Sequence, residues 1–194
     1  EGVKLPEKFF TRLDWQERLA KVKVSDATKA IIAAYMHGIE GLSAAEDGLE
    51  SRIVQIKDER LKQLESIPGI GKLSSRTLLG ALDEASRFDN KKSVAKYGAL
   101  TPAIYQSGSV THMGHINRNG RHEIRRVLLQ CAHTVARMKS FDSKPLREFF
   151  ERIHKRRGKK IAIVALARKL LTIAYGVLKA ETYFDPQMLS AHRA

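Results

Sequence analysis

The 194 residues are 43% hydrophobic and 29% charged, which excludes a disordered chain and suffices for one good core or two small ones. A formal net charge of +14 predicts a polyanionic partner or an acidic surface. The single cysteine, Cys131, lies in an apolar helical register, which excludes an internal disulfide and fits a reducing cytosol. There is no apolar run of about 18 residues, and the opening "EGVKLPEKFF" has no apolar leader. A soluble cytoplasmic chain that does not enter a membrane is therefore expected. Residues 1–66 hold 11 Lys/Arg against 12 Asp/Glu, whereas 105–160 hold 14 against 4. The basic surface belongs to the second half.

In chain order, "LPEKFFTRLDWQERLAKV" reads as a short helix introduced by Pro6, with Phe9, Phe10, Leu13 and Trp15 as an apolar patch. From Ser25 to Leu64, the residues Ile32, Tyr35, Ile39, Leu42, Leu49, Ile53 and Ile56 recur at spacings of three and four between charges. That pattern predicts a long amphipathic arm, one helix or two. Gly38, Gly41 and Gly48 weaken it, so packing in a coiled coil or helical hairpin is expected, with a break near 41–48.

The arm occupies 1–65 in this reading, and a compact helical domain follows over 66–194. Its boundary is "LESIPGIGKLSSRTLLGAL". Pro68 stops the arm, Gly69 and Gly71 make a tight hairpin, and Leu73–Leu82 begins a new helix with Leu78, Leu79 and Leu82 inward. Further helices are expected at about Asn90–Tyr97 with Gly98 as cap, at Glu123–Met138, at Lys144–Ile153 and at Lys160–Lys179. Pro102–Gly120, "PAIYQSGSVTHMGHINRNG", lacks apolar periodicity and reads as a polar loop, with only a weak hairpin signal in "AIYQSG" and "VTHMGHI". The fold class is mostly α: a long coiled-coil-like arm, then a compact helical domain.

Two constellations carry chemistry. The Pro-Gly-Ile-Gly hairpin presents backbone N–H groups at a helix N-terminus, where they and the dipole attract a phosphate oxygen, flanked by Lys72 and Arg76. It resembles the helix-hairpin-helix motif of DNA-repair and recombination proteins, which grips the duplex backbone without reading sequence. The competing reading is a plain turn between packed helices. In the polar loop, Arg118, Arg121, Arg125 and Arg126 offer bidentate phosphate donors near a helix start. Ser107 beside Gly108 is able to project a hydroxyl, although a loop serine is ordinarily a turn residue because attack needs activation. His112, His115, His122, Cys131 and His133 match no zinc finger or knuckle spacing and include one thiol only.

The ordered combination over roughly residues 66–136 comprises the Pro-Gly-Ile-Gly hairpin, "SRF", a short helix running into "YGALTP", "YQSG", "GHINRNG" and an Arg-rich helix. It resembles the C-terminal domain of the insertion-sequence transposases of the family numbered one hundred and ten, which also includes the pilin-gene DNA invertases. The resemblance implies a prokaryotic, nucleoid-associated transposase or site-specific DNA recombinase that acts in transposition by strand cleavage and rejoining. Its implied partners are double-stranded DNA, a structured guide RNA and further copies of itself, as a dimer or tetramer. It also implies that Ser107 is the DNA nucleophile, with Ser109 as the local competitor; some members carry a serine at the position of Gln106. An acidic, RuvC-like domain holds divalent metal in the family. Its carboxylates have no counterpart among the helix-face acids of 1–66, so the chain is expected to be a fragment, inactive alone, with Mg²⁺ belonging to the absent domain and no cofactor here. The alternative is a non-catalytic helix-hairpin-helix nucleic-acid-binding module.

Overall fold

Two compact units make up the chain, Glu1–Arg52 and Ile53–Ala194; the structure, a computed structural model, describes residues 2–107, 110–117 and 119–190. In the first unit a single 3-10 turn, Phe9–Thr11, precedes α1 (Trp15–Ala20). Phe9, Trp15 and Leu19 are buried together, with Phe10 edge-on to Phe9 and Trp15 at centroid distances of 5.0 and 6.0 Å. Leu13, expected in this patch, is instead fully exposed at 105%, because it falls in the turn between the two helical segments and follows the periodicity of neither.

The arm helix α2 runs unbroken from Asp26 to Val54. The break expected near 41–48 is absent. A Cβ at Gly38, Gly41 or Gly48 would meet nothing within 4 Å, so each glycine costs helix propensity, about 0.5–1 kcal/mol, without bending the backbone around a neighbour. None of the α2 residues is buried, and Tyr35 and Leu42 are each 73% exposed.

The second unit begins with the end of α2 and continues through α3 (Glu59–Glu65), α4 (Lys72–Leu82) and α5 (Lys91–Tyr97). Asp58 caps α3, its Oδ1 accepting from the Arg60 N–H, and Asn90 caps α5 by accepting from the N–H groups of Lys92 and Ser93. Strands β1 (Pro102–Ser107) and β2 (Val110–Ile116) form an antiparallel hairpin where the sequence favours a loop. Pairing runs Pro102↔Ile116, Ile104↔Met113, Tyr105↔His112, Gln106↔Thr111 and Ser107↔Val110, with an irregularity between Pro102 and Ile104. A two-stranded ladder pairs the facing N–H and C=O groups of its strands and does not require an apolar face, which is why the alternation is weak. Then come α6 (His122–Arg137), α7 (Lys144–Arg157), α8 (Lys159–Ala180) and the short α9 (Gln187–Ser190).

α8 is the axis of the core. Leu166, Leu170, Leu171 and Ala174 are fully buried, and α3, α5, α6 and α7 all pack on this helix. Its length and composition alone would let it cross a membrane, but it is an internal core helix. The Tyr175 hydroxyl donates to the Phe88 carbonyl at 2.9 Å, and the Phe184 N–H donates to Ser66 Oγ at 2.9 Å, tying the segment after α8 back to the end of α3. Leu166→Ala is expected to destabilise the domain by about 3 kcal/mol through lost burial and the cavity left behind, read as a lower urea midpoint with unchanged slope.

Candidate nucleic-acid interface

Between α3 and α4 the chain reverses in a type II turn. The Ile70 N–H donates to the Ile67 carbonyl at 3.1 Å, with Pro68 and Gly69 central and Gly69 at φ +83°. A Cβ at Gly69 would lie 2.5 Å from Val135 Cγ2 and 3.0 Å from the Cys131 carbonyl, so only glycine lets the turn lie against α6. Ile67 and Ile70 are buried, whereas Gly71, the N-cap of α4, and Lys72 are exposed. No side chain caps this helix, and its first N–H groups have no partner within the helix.

Arg76 faces the other way. Its Nε donates to the Ile53 carbonyl, Nη2 to those of Val54 and Ile56, and Nη1 to Glu65 Oε1 and the Lys72 carbonyl, at 2.7–3.1 Å. Two of these carbonyls belong to the last turn of α2, where the negative end of the dipole favours a cation. Buried Ser75 donates to the same Glu65 oxygen at 2.9 Å. With all five N–H groups engaged internally, Arg76 has none to offer a phosphate. Arg87 stays exposed but is partly engaged: Nη2 donates to the Ala81 carbonyl at 2.7 Å, and the guanidinium lies over the rings of Phe88 and Tyr97.

The hairpin is fastened at its base. The Asn117 N–H donates to the Thr101 carbonyl and the Arg121 N–H to the Tyr97 carbonyl, at 2.9 and 2.8 Å. Gly120 lies between these ties at φ +151°, where a Cβ would be 2.7 Å from the Tyr97 carbonyl and 2.9 Å from the Ala99 nitrogen. Ser107 is the last residue of β1, at the far end of the ladder from this base. Its side chain lies outside the described residues, as do Ser109 and Arg118.

Arg121 is exposed as the N-cap of α6. From it, one face of α6 carries a shallow cavity of about 590 Å³ lined by His122, Arg125, Arg126, Leu129, Gln130 and His133, with Glu123 at its edge. Arg125 Nη2 stands 3.4 Å from His122 Nδ1. Arg125 and Arg126 therefore share this cavity, with Arg121 at the N-cap one turn before Arg125, while Gly71 and Lys72 are presented by a different helix. Cys131 is on the buried side of α6, where burial pushes its thiol up against a smaller opposing effect from Ser74.

Three cations that the sequence did not single out also converge. Lys169 of α8 is half-buried, and its pKa is lowered by that burial, then by the charges of Lys91 and Arg152. Lys91 is far in sequence from the other two, so no local pattern marks the group.

The fold and these surfaces define a basic, mostly helical domain with a glycine-locked turn and a hairpin whose first strand ends in serine. A sequence profile described as "Transposase IS116/IS110/IS902 family" matches residues 61–150. The chain is 36% identical over 134 residues to the "Pilin gene-inverting protein" of Moraxella bovis, covering 68% of this chain and 40% of that protein. It is 36% identical over 132 residues to its namesake in Moraxella lacunata, covering 66% and 40%. To the "Transposase for insertion sequence element IS1328" of Yersinia enterocolitica it is 28% identical over 128 residues, covering 66% and 38%. The chain thus carries a transposase domain of the IS116/IS110/IS902 family, and it spans about two fifths of the length of these relatives.

Arg76→Ala is expected to lower stability by about 2–4 kcal/mol, because it strands Glu65 and the α2 carbonyls. Arg76→Lys should recover little, since an ammonium lacks the planar fork; urea titration of both variants checks this. Cys131 is expected to resist iodoacetamide at pH 8 in the folded protein and to react at the rate of an ordinary thiol in denaturant, followed by mass spectrometry.

Proposed function

We propose that this chain is the DNA-binding, serine-bearing domain of a transposase, acting in transposition by strand cleavage and rejoining. The observation that carries the proposal is Ser107 at the tip end of a hairpin whose base is locked to the start of the arginine-rich α6, within the region matched to the transposase family. Ser107 Oγ gives up its proton and attacks a phosphodiester phosphorus; a protein–DNA ester forms as the bond from phosphorus to one sugar oxygen breaks, and that oxygen leaves as a strand-end hydroxyl after taking up a proton. Arg121, Arg125 and Arg126, with Arg118, supply charge-assisted donors for the phosphorane that develops. The exposed α4 N-terminus at Gly71 and Lys72, set by the Gly69 turn, holds duplex backbone as a helix-hairpin-helix-like contact.

Among the described residues no group of three or more His, Cys, Asp or Glu side chains is arranged to hold a metal. Mg²⁺ belongs to a separate acidic domain of the transposase. The arm supplies self-association. Ile32, Ile39 and Ile53 occupy one heptad position of α2 and Tyr35, Leu42 and Leu49 the other, with Glu46 as the polar member. Isoleucine and leucine so placed favour a two-stranded coil. A structured guide RNA is the second nucleic acid of this reading.

The test uses the transposase polypeptide that joins this domain to its acidic domain, with labelled element ends and RNA, and asks whether label stays on protein after denaturation. Wild type and Ser109→Ala should retain the adduct and Ser107→Ala should lose it. Arg126→Gln should flatten the log–log salt dependence of DNA binding by about one unit. Binding without any adduct would make the chain a non-catalytic nucleic-acid-binding module. Loss in Ser109→Ala alone would move the nucleophile.

A further inference from the structure

A second cavity, of about 720 Å³, opens between the start of α5 and the last turns of α8. That volume is within the roughly 300–1,000 Å³ of small-molecule sites. Its wall is largely carbon. Tyr175 is 3% exposed and Gly176 half-buried, and a Cβ at Gly176 would meet nothing within 4 Å. The bottom is thus an open, flat stretch of helix with Ala180 one turn further on. Around it stand the exposed Lys91, Lys92 and Lys179, with Asp89 at the lip. The Lys179 ammonium donates to the Tyr175 hydroxyl at 3.1 Å, and that hydroxyl donates in turn to the Phe88 carbonyl. This relay fixes the lysine against the wall.

Cationic charge continues past the cavity. Lys169 is on α8, ten residues before Lys179, which is about 15 Å along the helix axis. It shares its surroundings with Lys91 and Arg152, whose charges, after burial, lower its pKa. A stacked strand advances about 3.4 Å per nucleotide, so the row from Lys179 to Lys169 is longer than one nucleotide and matches a short run of phosphates. Carbon at the bottom and ammonium groups at the rim suit a planar base with its phosphate. A base inside a duplex cannot lay a face on this open surface, because its faces are covered by its neighbours.

We propose that this α5/α8 cavity receives one unstacked nucleotide of a single-stranded nucleic-acid segment. The base lies on the helix surface at Gly176 and Ala180, its phosphate meets Lys91, Lys92 and Lys179, and the adjoining phosphates run toward Lys169 and Arg152. The inference rests on the nucleic-acid-binding reading above and goes beyond it, since the contacts proposed there are on α4, α6 and the hairpin. Asp89 accepts from the amino or imino edge of a base that reaches the lip.

The experiment measures the affinity of the full 194-residue chain, at fixed salt, for an oligothymidylate of about ten nucleotides and for a duplex of the same length. It also measures thymidine monophosphate alone and the emission of 2-aminopurine placed within the strand. Two variants act on different parts of the cavity: Lys91→Gln/Lys92→Gln removes rim charge, and Gly176→Leu fills the bottom from an open position. Each should weaken single-strand binding by about tenfold while duplex affinity stays within about threefold, and Gly176→Leu should abolish the 2-aminopurine response. Equal losses for strand and duplex, or no loss in either variant, would overturn the assignment. Duplex binding by wild type without strand binding would overturn it and leave the proposed function intact. Monophosphate binding as tight as the strand would make this a free-nucleotide site instead. Failure to bind either nucleic acid would remove the DNA-binding reading together with it.

Discussion

Burial of α8 on most of its girth governs where charge can go in the second unit. With Leu166, Leu170, Leu171 and Ala174 fully buried, each helix packed around α8 must turn its own apolar stripe inward and its cations to solvent. A sequence this basic therefore cannot scatter its lysines and arginines evenly. Two groups of them lie on the outward face of α6 and along the α5/α8 edge, where they line different cavities, and a third fills the last turn of α7. Repulsion within each group raises the free energy of the unbound protein, and a polyanion relieves it.

Not every arginine joins those groups. Arg76 is turned inward as a donor to carbonyls at the end of α2, and it also meets Glu65 beside buried Ser75. Guanidinium suits this work because one planar group satisfies several acceptors at once and stays charged when partly desolvated. Formal charge thus overstates the number of cations available to a partner. Arg121, Arg125 and Arg126 differ from Arg76 in where their donors point, not in residue type.

Helices of the second unit are legible in the sequence because apolar spacing, capping Asn90 and the glycine and proline punctuation agree with one another. From α4 to α8 the observed bounds differ from the expected ones by a residue or two, except that α7 extends four residues past Ile153 to Arg157 through a cationic last turn that favours helix at its C-terminal end, whereas α3 is a separate helix where the sequence reads as the end of the arm. The hairpin is faint, since its strands carry polar residues on a ladder that two strands alone complete. The Gly69 turn is legible as a turn, but its contact with Val135 is not, because α6 is more than fifty residues away in sequence and Val135 itself more than sixty. Distance along the chain also hides the partners of Arg76 and the convergence of Lys91, Arg152 and Lys169. Pairings set by tertiary packing leave no local signature. The motif order that marks the family is plain in the sequence.

Gly120 and its two neighbouring backbone bonds have an architectural consequence. Because Asn117 closes on Thr101 and Arg121 on Tyr97, the chain leaves and re-enters the helical body through one narrow gate, and the ladder between contributes no described residue to the fully buried core. Such a segment is insulated from the stability of its scaffold. Its length and tip chemistry are free to be exchanged as a cassette while α5, α6 and α8 keep their packing, with Gly120 as the residue that cannot change along with them.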